Sequence, residues 1–434
     1  MSITSFRTTS LETTQWFVFL LASAVALPIV IGSIFHMSFE EVSGLMQRTF
    51  FAVGLTSFLQ GWIGHKLPIM EGPAGLWIST FTVMAHSASE AGNSPKAALP
   101  VLETAMFLTA ILLVIIGVTK LSQKVMALFT PLVTGSFLFL LTIQLSGTFL
   151  SGMLGTNGDE GTIQVIGSSI AFLTFILVLG LSTFGRGWMK SYAVLLGIAV
   201  GWIVYELILH PEKTSQDKGV FQPPEWLAWG APSLDLSTLP VAIVTALILL
   251  SNVVASVVAV SQSIHGHPTY SYSQINRGSA MLGVTHGISA MYATVANVPL
   301  ASSSGFIDLT GQKRKQPFMY ASLILMVIAF FPPIVQWISY IPEPVANAAL
   351  LATFVQLMGL GLKNMVSKPL DERRITIITV SFLVGIGLMF IPASAFRNFP
   401  AILQNVLSNG LLVGTLLIIL LEQLWRNEED KSLS

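Results

Sequence analysis

The sequence predicts an all-α polytopic membrane protein of about fourteen transmembrane segments, and three observations carry the prediction. Apolar residues make up 53% of the 434 positions and Asp, Glu, Lys and Arg only 10%, far below the roughly 25% charged residues of soluble domains. The apolar residues come in runs of ~18 to 25, the length that crosses a hydrocarbon core of ~30 Å. Lys and Arg gather on alternate connections between the runs, as the positive-inside rule requires of a correct segment count.

In chain order the runs fall at 14–36, 43–63, 68–87, 98–119, 126–148, 162–184, 190–208, 239–263, 276–296, 297–312, 316–340, 343–362, 371–395 and 400–426. The first follows a polar start, is too long for a signal peptide and lacks its small-residue cleavage site, so it reads as a retained helix. The longest polar break, 209–238, holds His210, Pro211, Pro223, Pro224 and Pro232 and leaves seven runs on each side. An odd number per half inverts the halves relative to one another. The domain expectation is a first inverted repeat over 1–208, an extracytoplasmic loop over 209–238, a second repeat over 239–426 and a cytoplasmic tail over 427–434. With the N-terminus inside, the cytoplasmic side receives sixteen basic residues, among them Lys66, Lys120, Arg277, Lys313, Arg314, Arg373, Arg426 and Lys431. The outside receives five: Arg48, Lys96, Lys213, Lys218 and Arg397. Both termini are then cytoplasmic, in a multi-pass protein of the cell membrane.

Several function classes drop out. With 21 basic and 21 acidic residues there is no basic face for nucleic acid. The absence of cysteine removes disulfides, thiolate metal sites and thiol catalysis. No histidine pair has helical metal-ligand spacing with a carboxylate neighbour, so neither metal nor cofactor is implied. The Ser302, Ser303, Ser304 run has no histidine placed as its base, which argues against an enzyme.

Two runs cannot be unbroken helices. The run 68–87 opens with Pro68, Gly72, Pro73 and Gly75, and 297–312 carries Pro299, three serines and Gly305. Each is the third run of its half. Paired Gly/Pro interruptions at matching places in inverted halves point to the midplane site of a secondary transporter, because irregular backbone survives at that depth only where protein or a water-filled cavity satisfies it. Re-entrant or kinked helices without a ligand are the alternative.

The residues 15–28 (QWFVFLLASAVALP), 129–147 (FTPLVTGSFLFLLTIQLSG) and 341–362 (IPEPVANAALLATFVQLMGLGL), with the spacing of Pro131, Gly135, Pro344, Phe354 and Gly361, carry a resemblance. Through most of its length the chain resembles the nucleobase/ascorbate transporter family, which includes bacterial uracil and xanthine permeases. The family signature near the tenth segment is Glu, Gln or Pro followed by Asn, then Gly two positions on, four residues, Thr, and Lys, Arg or Gly. Here Gly305, Thr310 and Gly311 fit, whereas Ser302 and Ser303 replace the acidic or amide residue and the Asn. The family's base-binding acid on the eighth segment falls on Asn252, its following His on Ser256, and its Gln-His pair on the first segment is Gln15 and Trp16. The resemblance implies two short strands crossing at the midplane, a core domain of segments 1–4 and 8–11, and a gate domain of segments 5–7 and 12–14. It further implies transport of a nucleobase such as uracil, xanthine or another purine by proton symport and alternating access, with association into a homodimer through the gate left open.

The same resemblance places main-chain N–H groups for the base at Gly75 and at Ser302 and Ser303, and side-chain contacts at Asn252 and Ser256. Half-helix N-termini also present positive dipole ends that suit carbonyl oxygens. The alternative for Gly75 is close helix packing, and for Asn252 a hydrogen bond between helices. Membrane carboxylates are functional candidates by default, which singles out Glu71 and Asp308 as proton-coupling groups. Glu71 has hydrogen bonding to strand backbone as its alternative, and Asp308 an ion pair with Lys313 or Arg314. Glu103 reads as a contact between helices, and Trp16 and Trp77 as stacking platforms or core. Two other functions stay open. An anion transporter of the related fourteen-segment fold would want basic residues at the broken runs, where only Lys66 is near; a non-transporting membrane sensor is the other.

Overall fold

The computed structural model describes residues 3–156, 162–211, 219–233, 235–267 and 270–425, with side chains from residue 8 onward. Lys213, Lys218, Arg426, Lys431 and the expected tail 427–434 lie outside the described residues. The chain begins with α1 (Ile3–Ile34) and α2 (Phe39–Trp62), then passes through a short strand, β1 (Glu71–Pro73), into α3 (Gly75–Glu90). There follow α4 (Leu99–Val118), α5 (Ser122–Met126), α6 (Pro131–Leu154), α7 (Val165–Phe184), the single turn α8 (Trp188–Ser191) and α9 (Ala193–Leu209). After the polar loop come α10 (Leu239–His265) and α11 (Tyr272–Met291), and again a strand before a half-length helix: β2 (Asn297–Pro299) and α12 (Ser302–Thr310). The remainder is α13 (Lys315–Ile328), α14 (Pro332–Ser339), α15 (Glu343–Met365), α16 (Glu372–Met389), α17 (Ala401–Leu407) and α18 (Gly410–Leu424).

Local sequence explains where these elements start and stop. Ser38 and Glu41 form a reciprocal capping box on α2, Thr130 caps α6 ahead of Pro131, and Asp371 accepts the Arg374 N–H at the head of α16. Among the described residues six helices are long and apolar enough to cross a membrane, or eight if each of two bent pairs is one span. Those pairs correct the expectation of unbroken runs at 316–340 and 400–426. The axis turns 93° between α13 and α14, where Pro332 and Pro333 deny the ladder two donors, and 87° between α17 and α18, where Asn409 caps a new helix. The first run is corrected too: α1 is already helical from Ile3 rather than from residue 14.

The outer surface is apolar. Phe184, Leu383 and Phe390 are 84%, 79% and 82% exposed, which suits lipid and not water. Inside, Trp16, Phe50, Trp77, Phe149, Phe306 and Phe318 belong to one continuous core drawn from both halves of the chain. Around it α2 packs on α1 and α13, and α4 on α10 and α11; on the other side α6 packs on α15 and α18, and α7 on α9 and α15. A Cβ on Gly135 would stand 2.6 Å from the Gly361 carbonyl oxygen, so α6 and α15 meet backbone to backbone only because neither glycine has a side chain. Arg48, counted from the sequence among the outer charges, is buried on α2 and donates to the Ala293 carbonyl.

Candidate functional site

The two strands meet antiparallel in the interior, Glu71 opposite Pro299, Gly72 opposite Val298 and Pro73 opposite Asn297. Their flanks extend the pairing, with Leu300 N–H donating to Met70 O at 2.8 Å and Ala74 N–H to Ala296 O at 3.0 Å. Each broken run thus satisfies the other's main chain, which is how irregular backbone persists at this depth. Side chains from neighbouring helices complete the pairing. Ser57 Oγ accepts the Glu71 N–H at 3.0 Å, Ser303 Oγ accepts the Met70 N–H at 3.0 Å, and Ser256 Oγ donates to Pro299 O at 2.8 Å. The hydroxyls of Ser256 and Ser303 are therefore engaged with strand backbone.

From the strands α3 and α12 start as half-helices. Ala74 and Ala301, the residues before them, provide no capping side chain, and the N–H groups of Gly75 and Ser302 have no acceptor among the described residues. Ser303 N–H is already used, donating to Leu300 O at 3.1 Å. A Cβ on Gly75 would lie 3.2 Å from Phe354 Cζ and 3.6 Å from Leu141, so the start of α3 is covered by an aromatic ring from α15 and a leucine from α6. Phe354 is itself held edge-on against Phe149, with centroids 4.9 Å apart. Asn252 stands one turn before Ser256 on α10, half-buried, with no hydrogen bond to another described residue.

The carboxylates separate. Glu71 is fully buried, neither of its oxygens has a hydrogen-bond partner among the described residues, and His65 Nε2 stands 3.8 Å from Oε1. Its hydrogen bonds to Ser57 are made by its main chain alone. Asp308 is exposed on α12, and the ion pair weighed from the sequence is absent: Arg314 pairs with Glu12 at 2.6 Å, and Lys313 donates to Ile264 O. Glu103 is buried on α4, and neither of its oxygens has a hydrogen-bond partner among the described residues. The tryptophans resolve toward packing. Trp16 lies among Phe19, Phe306 and Phe318, and Trp77 Nε1 donates to His286 Nε2 at 3.2 Å. Gln15 bonds Gln312.

A cavity of about 430 Å³ lies along the end of α3 remote from Gly75, lined in part by Thr82, His86, Gln144, Ser151 and Ser408. None of the residues singled out from the sequence as substrate contacts lines it. Gln144 on α6 forms part of its wall, donating to Ser79 Oγ and accepting from Leu411 N–H. Among the described residues no cluster of His, Asp and Glu could hold a metal ion. Phe354 belongs to the spacing that carries the resemblance but was given no role by it, Gln144 and His65 carry no signal beyond residue type, and only packing brings the three to the strands and half-helices.

With this geometry in view, residues 7–394 match the family model of xanthine and uracil permeases, described as a permease family. The chain belongs to that family. These nucleobase/ascorbate transporters are carriers and not enzymes, and membership makes this chain a membrane permease. Curated relatives are of near-equal length. YwdJ of Bacillus subtilis, whose name marks it provisionally as a purine permease, is 29% identical over 96% of this chain and 97% of its own. The xanthine permease of the same organism is 24% identical over 92% and 90%, and XanP, a xanthine permease of Escherichia coli K12, is 24% identical over 90% and 86%. Among solved structures, the permease shares its fold with the transmembrane domain of a cyanobacterial bicarbonate transporter, BicA, at a TM-score of 0.63, 14% identity and coverage of 92% and 96%. It also shares it with the murine anion transporter Slc26a9 in its inward-facing state, at 0.64, 12% identity and coverage of 96% and 69%.

Proposed function

We propose that this permease carries a purine such as xanthine, with uracil as the other nucleobase to test, by proton symport with alternating access. The observation that carries the reading is the start of α3. An uncapped N-terminus at Gly75 lies under the Phe354 ring, offering N–H donors to a base carbonyl and an aromatic face to its plane, within a family of nucleobase permeases. Ser302 N–H adds a second uncapped donor across the strand pair, and Asn252 an amide able to donate and accept along a base edge. Ser256 and Ser303 then act by fixing the strands rather than through their hydroxyls on the base, and Glu71 is the coupling group in preference to the exposed Asp308.

In this reading the fourteen runs are fourteen segments in two inverted sevens, with both termini cytoplasmic. The group around α2, α4, α10, α11 and α13 is the core, and the group of α6, α7, α9, α15, α16 and α18 the gate. The small separate core of Leu132, Val133, Met365, Ile377 and Ile418 within the second group supports treating it as a unit that moves against the first. Uptake by the reconstituted chain against xanthine, uric acid, other purines, uracil and bicarbonate, with and without an inward proton gradient, tests the proposal. Gradient-driven accumulation of a purine is expected; uptake of bicarbonate alone, or of nothing, rejects it.

A further inference from the structure

His65 follows α2 in the loop that leads to β1, and its main chain and ring Nδ1 are held by hydrogen bonds. Its main-chain carbonyl accepts from Gln274 Nε2 at 2.7 Å, its N–H donates to Gln60 Oε1 at 3.4 Å, and its ring Nδ1 accepts the Leu67 N–H at 3.1 Å. An Nδ1 that accepts places the neutral ring's proton on Nε2. Nε2 is the atom that faces Glu71 Oε1 at 3.8 Å, and both side chains are fully buried. Neither Nε2 nor the two carboxylate oxygens has any hydrogen-bond partner among the described residues. Two residues whose charge can change thus face one another, through atoms with no other hydrogen-bond partner among the described residues, beside the strand that leads into the α3 half-helix.

We propose that Glu71 and His65 together form the proton site of the transport cycle, Glu71 carrying the proton and His65 passing it to the cytoplasmic face. This rests on the proton-symport reading and adds the route. The groups that bear on the pair are few. Ser57 of α2 contributes a hydroxyl engaged with the Glu71 main chain, Ser303 of α12 and Pro299 of β2 contribute no charge, and the charge that reaches His65 is that of Lys315 at the head of α13. A lone carboxylate in this interior is costly unless protonated or given a donor, and the imidazole is the donor within reach. A proton suits the pair better than a sodium ion, because what faces the carboxylate is an N–H and not a set of oxygens.

The transfer balances as follows. The transfer starts from the other neutral tautomer, formed when the Leu67 N–H leaves Nδ1, Nδ1 takes a proton from water and Nε2 gives one up; His65 then takes the Glu71 proton at Nε2, leaving a carboxylate beside an imidazolium. The Nδ1 proton then departs to water at the loop, where Lys66 is exposed. The ring is left with its proton on Nε2, the tautomer that the Leu67 N–H selects, and that N–H points at the carboxylate. Loss of the Nε2 proton and uptake of one at Nδ1, both by exchange with water, restore the starting tautomer with no net change in protons.

The test compares the wild-type chain with Glu71→Gln and His65→Gln, which keep hydrogen-bonding capacity and cannot titrate. In proteoliposomes, using the purine that the wild type accumulates, both variants should retain exchange within about twofold of wild type while proton-driven accumulation falls on the order of tenfold or more. Infrared titration of the purified protein without substrate gives a second readout. The carbonyl stretch of a protonated carboxyl should vanish in Glu71→Gln, and its midpoint should move by about one pH unit or more in His65→Gln. In the wild type that band and the imidazole ring bands should change at one shared midpoint. Wild-type accumulation indifferent to the proton gradient overturns the symport reading and this proposal with it. Proton-driven accumulation that His65→Gln leaves intact, or separate midpoints for carboxyl and imidazole in the wild type, overturns the pair and leaves the symport reading standing.

Discussion

The Gln144 amide on α6 donates to the Ser79 hydroxyl on α3 at 2.7 Å, and so ties the first half-helix to a helix of the opposite group. Its oxygen meanwhile accepts the Leu411 N–H at 3.0 Å, capping α18 just past the bend from α17. One side chain thereby joins α3 to both α6 and α18, the pair that the proposed alternating access would move together against it. Gln144→Leu strands the buried Ser79 hydroxyl and the Leu411 N–H, with an expected cost on the order of 1–3 kcal/mol. Thermal unfolding in detergent should show a lowered midpoint for Leu and a smaller loss for Gln144→Glu, which keeps an acceptor. Equal midpoints for all three proteins would remove the tie.

Asn252 makes no hydrogen bond to another described residue, so its replacement by Ala should leave stability nearly unchanged while weakening the substrate. Loss of one bonded amide is worth roughly 1–3 kcal/mol, or about 5- to 150-fold in apparent affinity. The uptake half-saturation concentration measures it. A correctly inserted Asn252→Ala protein with wild-type affinity assigns the residue elsewhere.

Phe354 and Gly75 answer to a paired experiment. Phe354→Ala removes the ring over the start of α3 and should raise the half-saturation concentration for purines, with a stacking loss of about 1 kcal/mol. Gly75→Ala puts a methyl group 3.2 Å from the ring and should also weaken transport. If Gly75 serves only helix packing, the double variant Gly75→Ala with Phe354→Ala recovers transport to the level of Phe354→Ala alone.

Ser303→Ala separates holding a strand from holding a base. Met70 N–H loses its acceptor in the buried pair, at a cost on the order of 1–3 kcal/mol. The unfolding midpoint should fall while the order of preference among purines stays as it was. A changed preference at unchanged stability would put the hydroxyl on the substrate.

Gly135→Ala drives a methyl group into the Gly361 carbonyl, 2.6 Å away, and overpacking of this kind costs about 1–3 kcal/mol. Thermal unfolding should register it, and Gly361→Ala should behave alike because its Cβ would meet Gly135 O at 2.9 Å.

How much of this was legible in the sequence depends on what each feature needed. The membrane-spanning runs and the two interruptions were readable because hydrocarbon enforces length and because Gly72, Pro73 and Pro299 break a helix, whereas Gly305 sits inside α12. The bends at Pro332 and Asn409 were hidden inside apolar stretches of the right length, where hydropathy outweighs a cap or a proline pair. Ser256 and Ser303 stood at the right places for a ligand, but a hydroxyl bonds a strand carbonyl or a base equally well, and only coordinates choose. Glu71 could be noticed as a membrane carboxylate; that His65, six residues earlier, turns its ring toward it depends on the fold of the loop between them. Phe354 was one member of a spacing pattern until α15 packed against the start of α3.

The strand pairing also constrains how the chain is made. Ser57 serves the Glu71 main chain, but Met70 O and Ala74 N–H on either side of it find their partners at Leu300 and Ala296, more than two hundred residues later in synthesis. Until those residues leave the ribosome, the early strand stays unpaired, and no arrangement of the first half alone completes it. Insertion into the bilayer can proceed helix by helix, but maturation of the centre must wait for the whole polypeptide. A fragment ending at residue 208 should therefore be held by quality-control proteases, and should be rescued when 239–434 is supplied as a separate chain.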